Sequence, residues 1–342
     1  MTRPCVVSTG YSALDVVWHD GRIEHAAGGT AANVAANLSY LGWNAAVVAL
    51  LGRDAAGGRV VSELRRAGVA VERIDRRDDV ATPVVIHEIT SPRHIFRFAC
   101  PRCGRKLPRY RPYPQNAARR LFAGGEVPDV FFFDRASAAA LAMAEKCRSD
   151  GGLVVFEPSA PGHADLVRRA LEVAQLVKVS GERAARLDNG ILAPRRGQVQ
   201  VVTDREGARF RLPPGRWTLV TGYSVDVVDT GGAGDWMTAG LLNALPSLRP
   251  GEFTADALAI ALSTAQALAA LSCKFVGARG LAELSRERAL AAARDLIREG
   301  TDEALAASRR RPSAASVGCR FCLGPTEDTL SRHQRDAEAA AG

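Results

Sequence analysis

Val228-Asp229-Thr230-Gly231-Gly232-Ala233-Gly234-Asp235-Trp236 runs directly into an apolar stretch with helical period, Ala233 to Leu245. Three glycines and an alanine let the backbone approach an anion closely. The N–H groups of Gly232, Ala233 and Gly234 then point at that anion from a helix N-terminus. Asp235 falls within the first turn. A carboxylate there can take a proton from a hydroxyl while the amides stabilise charge on a transferring phosphoryl group. The same residues also read as an ordinary tight turn in which Asp235 only caps the helix. The glycines alone do not separate the two readings.

Outward from this turn, short apolar runs alternate with helical patterns. Strands are expected at Cys5 to Ser8, Ala45 to Leu51, Val130 to Phe133, Leu153 to Phe156, Leu176 to Val179 and Val199 to Val202. Helices are expected at Thr30 to Leu41, Asp54 to Ala67, Ser137 to Cys147, His163 to Ala174, Ala233 to Leu245, Thr254 to Leu271 and Leu281 to Ile297. This alternation predicts an α/β fold with a mostly parallel central sheet covered by helices on both faces. Ligands then bind beyond the carboxyl ends of the strands. Strands at about 15–23 and 84–98 break the rhythm and are expected to form a small β lid over the site. A Cys- and Pro-rich insertion follows at about 99–116. The main body is expected to span 1–299, and 300–342 to be a loosely ordered tail carrying a Cys-x-x-Cys.

A second motif sits near the front: Gly28-Gly29-Thr30-Ala31-Ala32-Asn33-Val34-Ala35, followed by Leu41-Gly42. Gly52-Arg53-Asp54 with Gly57 forms a further turn. With Asp229-Thr230-Gly231-Gly232-Ala233-Gly234-Asp235, these resemble, in order and separation, the motifs of ribokinase-like (phosphofructokinase-B type) carbohydrate and nucleoside kinases. The resemblance covers roughly residues 5 to 295. It implies a three-layer α/β fold and transfer of the ATP γ-phosphoryl group to a hydroxyl of a sugar or nucleoside, with Mg2+ as the accompanying ion. By position, Asp235 matches the catalytic base and Gly232, Ala233 and Gly234 the anion hole. Asp15, Gly28, Gly29 and Asn33 match substrate-binding positions. A carboxylate and a carboxamide suit a polyol, the first accepting from hydroxyls and the second both donating and accepting.

Two stretches depart from the family pattern. Its Asn-x-x-Glu motif, which helps order magnesium and phosphates, is Ser180-Gly181-Glu182-Arg183 here. Glu182, one residue early, is the candidate substitute, and Glu157 at the end of a strand is another. The nucleotide-supporting turn Thr-x-Gly-x-x-Gly is Thr203-Asp204-Arg205-Glu206-Gly207, shorter and without the first Gly. Thr203, Gly207, Asp229 and Thr230 are the expected nucleotide contacts.

Cys100-Pro101-Arg102-Cys103-Gly104 has the form of a zinc knuckle, and Cys319-Arg320-Phe321-Cys322 repeats it. Together Cys100, Cys103, Cys319 and Cys322 supply four thiolates, the complement of a closed structural Zn2+ site. The fold must bring the pairs together across more than about two hundred residues. Cys5, Cys147 and Cys273 sit in apolar contexts and read as core. His87 and His94 read as lid or surface groups.

The 342 residues are 47% hydrophobic with a net charge of +8, enough for one large core. The arginines are spread along the chain, so the excess reads as a solvated surface; no nucleic-acid partner is expected. The basic, tyrosine-bearing insertion Arg105 to Tyr113 reads as a surface loop. No apolar run reads as long enough for a membrane span, and Met1 to Gly10 lacks a signal-peptide layout, so a cytoplasmic protein is expected. Seven cysteines in a chain this long do not make a disulfide scaffold. Lid strands with open edges suit pairing between subunits, so a homodimer is one expected assembly. The competing functional class is a non-catalytic ligand-binding protein of the same fold that uses the zinc-tied region for a macromolecular partner.

Overall fold

The computed structural model describes residues 3–19, 21–90, 93–121, 127–187, 192–299, 319, 321 and 322. The remaining tail positions, and the side chain of His94, lie outside the described residues. The first third holds β1 (Cys5–Thr9), β2 (Ala13–His19), β3 (Arg22–Gly28), α1 (Thr30–Tyr40), β4 (Asn44–Gly52), α2 (Ala55–Arg66), β5 (Ile74–Arg77), β6 (Val84–Thr90) and β7 (Arg93–Arg97). The middle holds α3 (Gln115–Leu121), β8 (Val130–Phe133), α4 (Ala138–Ser149), β9 (Leu153–Phe156), α5 (Ala164–Val173), β10 (Leu176–Ser180) and α6 (Gly181–Leu187). Then come β11 (Val199–Thr203), β12 (Gly207–Arg211), β13 (Thr218–Thr221), α7 (Ala233–Ala244), α8 (Ala255–Ser272) and α9 (Arg286–Glu299).

The large sheet has the order β13-β12-β11-β10-β9-β8-β1-β4-β5. From β11 to β5 every pairing is parallel, and β12 and β13 add an antiparallel edge. Its central strands β4, β1, β8 and β9 are apolar at consecutive positions because both faces are covered. Period-2 alternation then divides them between two cores. Val6, Val47, Phe132 and Val155 face α1, α2, α7, α8 and α9, whereas Val7, Val48, Phe131, Phe133, Val154 and Phe156 face α4 and α5. Side-chain caps start three of the helices: Asp54 accepts from Gly57, Ser137 from Ala140 and Thr254 from Ala257.

The strands expected as a lid form a separate four-stranded sheet, β3-β2-β6-β7. The sequence reading missed the antiparallel β12–β13 edge, whose short strands flank Pro213 and Pro214. It also ran the last helix too far back: Gly280–Glu283 is a separate turn, and α9 starts at Arg286. One expectation needs correction. α8 is long and apolar enough to cross a membrane by length and composition. Half of it is buried, and its alanine-rich face packs closely on α7, so its apolarity serves the core.

Candidate active site

The glycine turn lies beside the carboxyl ends of the parallel strands. Gly232 ends it in the left-handed region, with φ 79°. A Cβ there would come within 2.5 Å of Ala278 Cα, so only glycine fits. Asp229, buried, closes the turn from beneath: its Oδ1 accepts from Gly231 N–H at 2.8 Å and its Oδ2 from Gly277 N–H at 2.8 Å. The Ala233 N–H turns back toward Thr230 O at 3.3 Å. Neither the Gly232 nor the Gly234 N–H meets an acceptor among the described residues, which leaves the α7 N-terminus able to receive an anion.

Asp235 is buried in the first turn of α7. Asn33, brought in by α1, donates from Nδ2 to Asp235 Oδ2 at 2.8 Å. The Asn33 Oδ1 is buried and lacks a partner among the described residues. Burial pushes the Asp235 pKa up to about 7, and the nearby Glu157 carboxylate adds to this; Asn33, Lys178 and Arg183 pull the other way. A carboxylate balanced between its two forms near neutral pH is suited to accept a proton.

Glu157, at the end of β9, is fully engaged. Lys178 Nζ lies 2.7 Å from its Oε1, Thr238 Oγ1 donates to its Oε2 at 2.6 Å, and Arg183 Nη1 stands 3.9 Å away. Lys178 is buried from β10 and would meet a side chain at Gly234. Two cations therefore border the anion-receiving turn. Glu182, the other candidate acid, is exposed and pairs with Arg186 at 2.6 Å. Glu157, not Glu182, is the carboxylate that acts on Asp235. Thr203 and Gly207 flank the β11–β12 turn, where Asp204 N–H donates to Gly207 O at 2.9 Å; Thr230 is exposed on the glycine turn.

Asp15 on β2 is buried, and its carboxylate lies against the backbone of Gly28: a Cβ on Gly28 would stand 1.8 Å from Asp15 Oδ2. Gly29 then opens α1, which carries Asn33. His87 is not a surface group. Its Nε2 lies 3.2 Å from Asp15 Oδ1. Burial works against its charged form, but the Asp15 carboxylate, with a contribution from Asp229, outweighs burial and raises its pKa.

Several residues on this flank carry no sequence signal. Ser12 Oγ is buried without a partner among the described residues. Asp134, at the end of β8, accepts from Tyr11 N–H at 2.7 Å and from Ser159 Oγ at 2.5 Å, and pairs with Arg135 at 2.9 Å. Arg135 lies 4.8 Å over the Tyr11 ring. These contacts join loops far apart in the chain, so no local spacing announces them.

The cysteine pairs do meet. The sulfurs of Cys100, Cys103, Cys319 and Cys322 all lie within 4.8 Å of one another. Cys147 and Cys273 are buried as expected, whereas Cys5 is only partly covered.

Comparison with known proteins gives this geometry a family. Residues 6–284 match the pfkB family carbohydrate kinase. Among solved structures, an aminoimidazole riboside kinase from Salmonella enterica, complexed with aminoimidazole riboside and an ATP analogue, superimposes with TM-score 0.64 at 23% identity; the match covers 83% of this chain and 98% of that one. A fructokinase from Xylella fastidiosa with bound ATP gives TM-score 0.65 at 20% identity, covering 86% and 98%. A putative ribokinase from Agrobacterium tumefaciens gives 0.67 at 17%, covering 87% and 100%. No curated protein sequence matches the chain. The chain belongs to the pfkB family of carbohydrate kinases.

Proposed function

We propose that the protein transfers the γ-phosphoryl group of ATP to a hydroxyl of a sugar or nucleoside-type small molecule, with Asp235 as the base. The observation that carries this is the Asn33–Asp235 pair. Asn33 holds one carboxylate oxygen of Asp235 and keeps an unpaired Oδ1 beside it. A neighbouring hydroxyl of the acceptor donates to that Oδ1, while the reacting hydroxyl gives its own proton to Asp235. Asp15 and the backbone of Gly28 and Gly29 bind the remaining hydroxyls, with His87 holding the Asp15 carboxylate in place.

The nucleotide end is the α7 N-terminus. The amides of Gly232 and Gly234, with Ala233 between them, receive the transferring phosphoryl group, and Lys178 and Arg183 add positive charge near it. Asp229 keeps the turn in shape, and Thr203, Gly207 and Thr230 border the nucleotide's approach. Both Glu157 oxygens are already taken, so this donor set suits Mg2+ that arrives on the nucleotide and keeps its water shell. Magnesium there would neutralise phosphate charge. The four-cysteine cluster suits Zn2+ in a closed structural role, with no position left open for chemistry.

One observation favours a second reading. Ser180 and Arg183 stand where relatives carry Asn and Glu, which fits a ligand-binding protein that no longer turns over. ATP turnover with a panel of pentoses, hexoses and nucleosides separates the two. Acceptor-dependent ADP formation supports the kinase. Ligand binding without turnover on any member supports the alternative.

A further inference from the structure

The insertion after β7 is built as a strap with an anchor at each end. At its start, Cys100 N–H donates to Arg105 O at 2.8 Å, Gly104 N–H to Cys100 O at 2.9 Å and Leu107 N–H to Phe98 O at 2.9 Å. These bonds form a knuckle that presents Cys100 and Cys103 to Cys319 and Cys322. The segment carrying the second pair is itself docked. Phe321 is buried, packs edge-on against Trp18 of β2 at 5.6 Å, and has Arg102 5.3 Å over its ring. Its carbonyl meets His25 Nε2 of β3 at 2.8 Å. The thiol cluster thus joins three parts of the chain: the small sheet, the insertion and the tail.

The other anchor lies at the cleft. Beyond the buried Leu107, Tyr110 comes to 6.3 Å from the Tyr11 ring and 6.0 Å from the Arg135 guanidinium. Tyr11 belongs to the flank of the Asn33 motif, since its carbonyl accepts from Ala31 N–H at 3.2 Å. Buried, unpartnered Ser12 Oγ follows it directly. The strap between the anchors is exposed and basic at Arg102, Lys106 and Arg109.

We propose that one Zn2+ bound by Cys100, Cys103, Cys319 and Cys322 holds residues 99–113 as a strap against the acceptor flank, with Tyr110 as its far anchor on Tyr11 and Arg135. The strap is a wall of the acceptor end, and the metal positions that wall without touching the acceptor. The inference rests on reading the Asp15–Asn33 end as the acceptor site. Its tests use no turnover, so its failure is separable from failure of the kinase reading.

The tests are zinc content by elemental analysis and limited trypsin digestion of the full chain, with cuts mapped by mass spectrometry. The purified protein should hold about one zinc per chain and resist cleavage after Arg102, Arg105, Lys106 and Arg109. Removing the zinc with a chelator should speed those cuts by about tenfold or more, and restoring zinc should reverse the effect. The double variant Cys319→Ser/Cys322→Ser should match the chelated protein. Tyr110→Ala should keep its zinc and still be cut faster in the strap. A folded protein free of zinc would overturn the proposal. So would a strap equally protected with and without zinc, or unchanged protection in Tyr110→Ala.

Discussion

The two ends of the cleft are built differently. At the proposed acceptor end the motif residues touch, Asp15 lying on Gly28 and Asn33 on Asp235, and His87 of the lid joins them at Asp15. At the proposed nucleotide end the glycine turn is intact, but its border carries more positive charge. Arg183 stands in place of an acid, and Lys178 and Arg183 converge on Glu157. The difference teaches that chemistry and charge compensation are separable. The base and its hydroxyl partner depend on close geometry and admit little change. Phosphate charge can be balanced by any nearby cation, so the surrounding residues can vary. Five variants test this contrast.

The largest effect is expected at the base. Asp235→Asn should leave both ligands bound and lower turnover by roughly a hundredfold or more, the scale of general-base catalysis. Near wild-type turnover would remove Asp235 from its role. The same variant carries a stability signature. The Asp235 pKa is raised from 3.8 to about 7, so the folded state favours the protonated acid. Its stabilising contribution is complete below about pH 4 and is lost as pH rises through 7. Asp235→Asn should therefore melt higher than wild type above pH 7, with the gain fading in acid. A gain that is constant with pH would contradict the shift.

Glu157→Gln comes next. It leaves Lys178 buried without its counter-charge, at a cost of roughly 3–5 kcal/mol in stability, read from chemical denaturation. It also removes the carboxylate that raises the Asp235 pKa, so the acid limb of activity should move to lower pH. An unmoved limb would show that Glu157 does not act on the base.

At the acceptor end, Asp15→Ala and Asn33→Ala should each weaken acceptor affinity by about tenfold to a hundredfold, the range for hydrogen bonds to charged groups. ATP affinity should stay within a small factor. Equal loss for both ligands, measured by calorimetry or KM, would erase the distinction between the two ends. The smallest effect is expected at Arg183, whose side chain is 42% exposed and thus screened. Arg183→Glu should change the magnesium dependence of the KM for ATP only severalfold and leave the acceptor KM alone.

Much of this was legible in the sequence because it is local. The glycine turn announces the start of α7, and Asp54, Ser137 and Thr254 mark helix starts through their own side chains. The apolar strands report two buried faces. The cysteine spacing singled out the four thiols, though only the fold could bring the pairs within 4.8 Å of one another. What stayed hidden depends on contacts between distant segments. Lys178 reads as one charge in a strand until β9 places Glu157 beside it. His87 reads as a lid residue until β2 and β6 align it with Asp15. Tyr110 reads as part of a surface loop until the insertion folds back to Tyr11. Glu182 shows the opposite error: near the right place in sequence, its helix turns it outward to Arg186.

The most direct test of Asp235 as the base is the pH dependence of kcat/KM for the acceptor at saturating magnesium-ATP, in wild type and Asp235→Asn. Wild-type activity should rise with pH through about 7 to a plateau, because only the ionised carboxylate accepts the proton, and the variant's residual activity should lack this limb. A limb that persists unchanged in Asp235→Asn, or a wild-type profile flat across neutral pH, would contradict it.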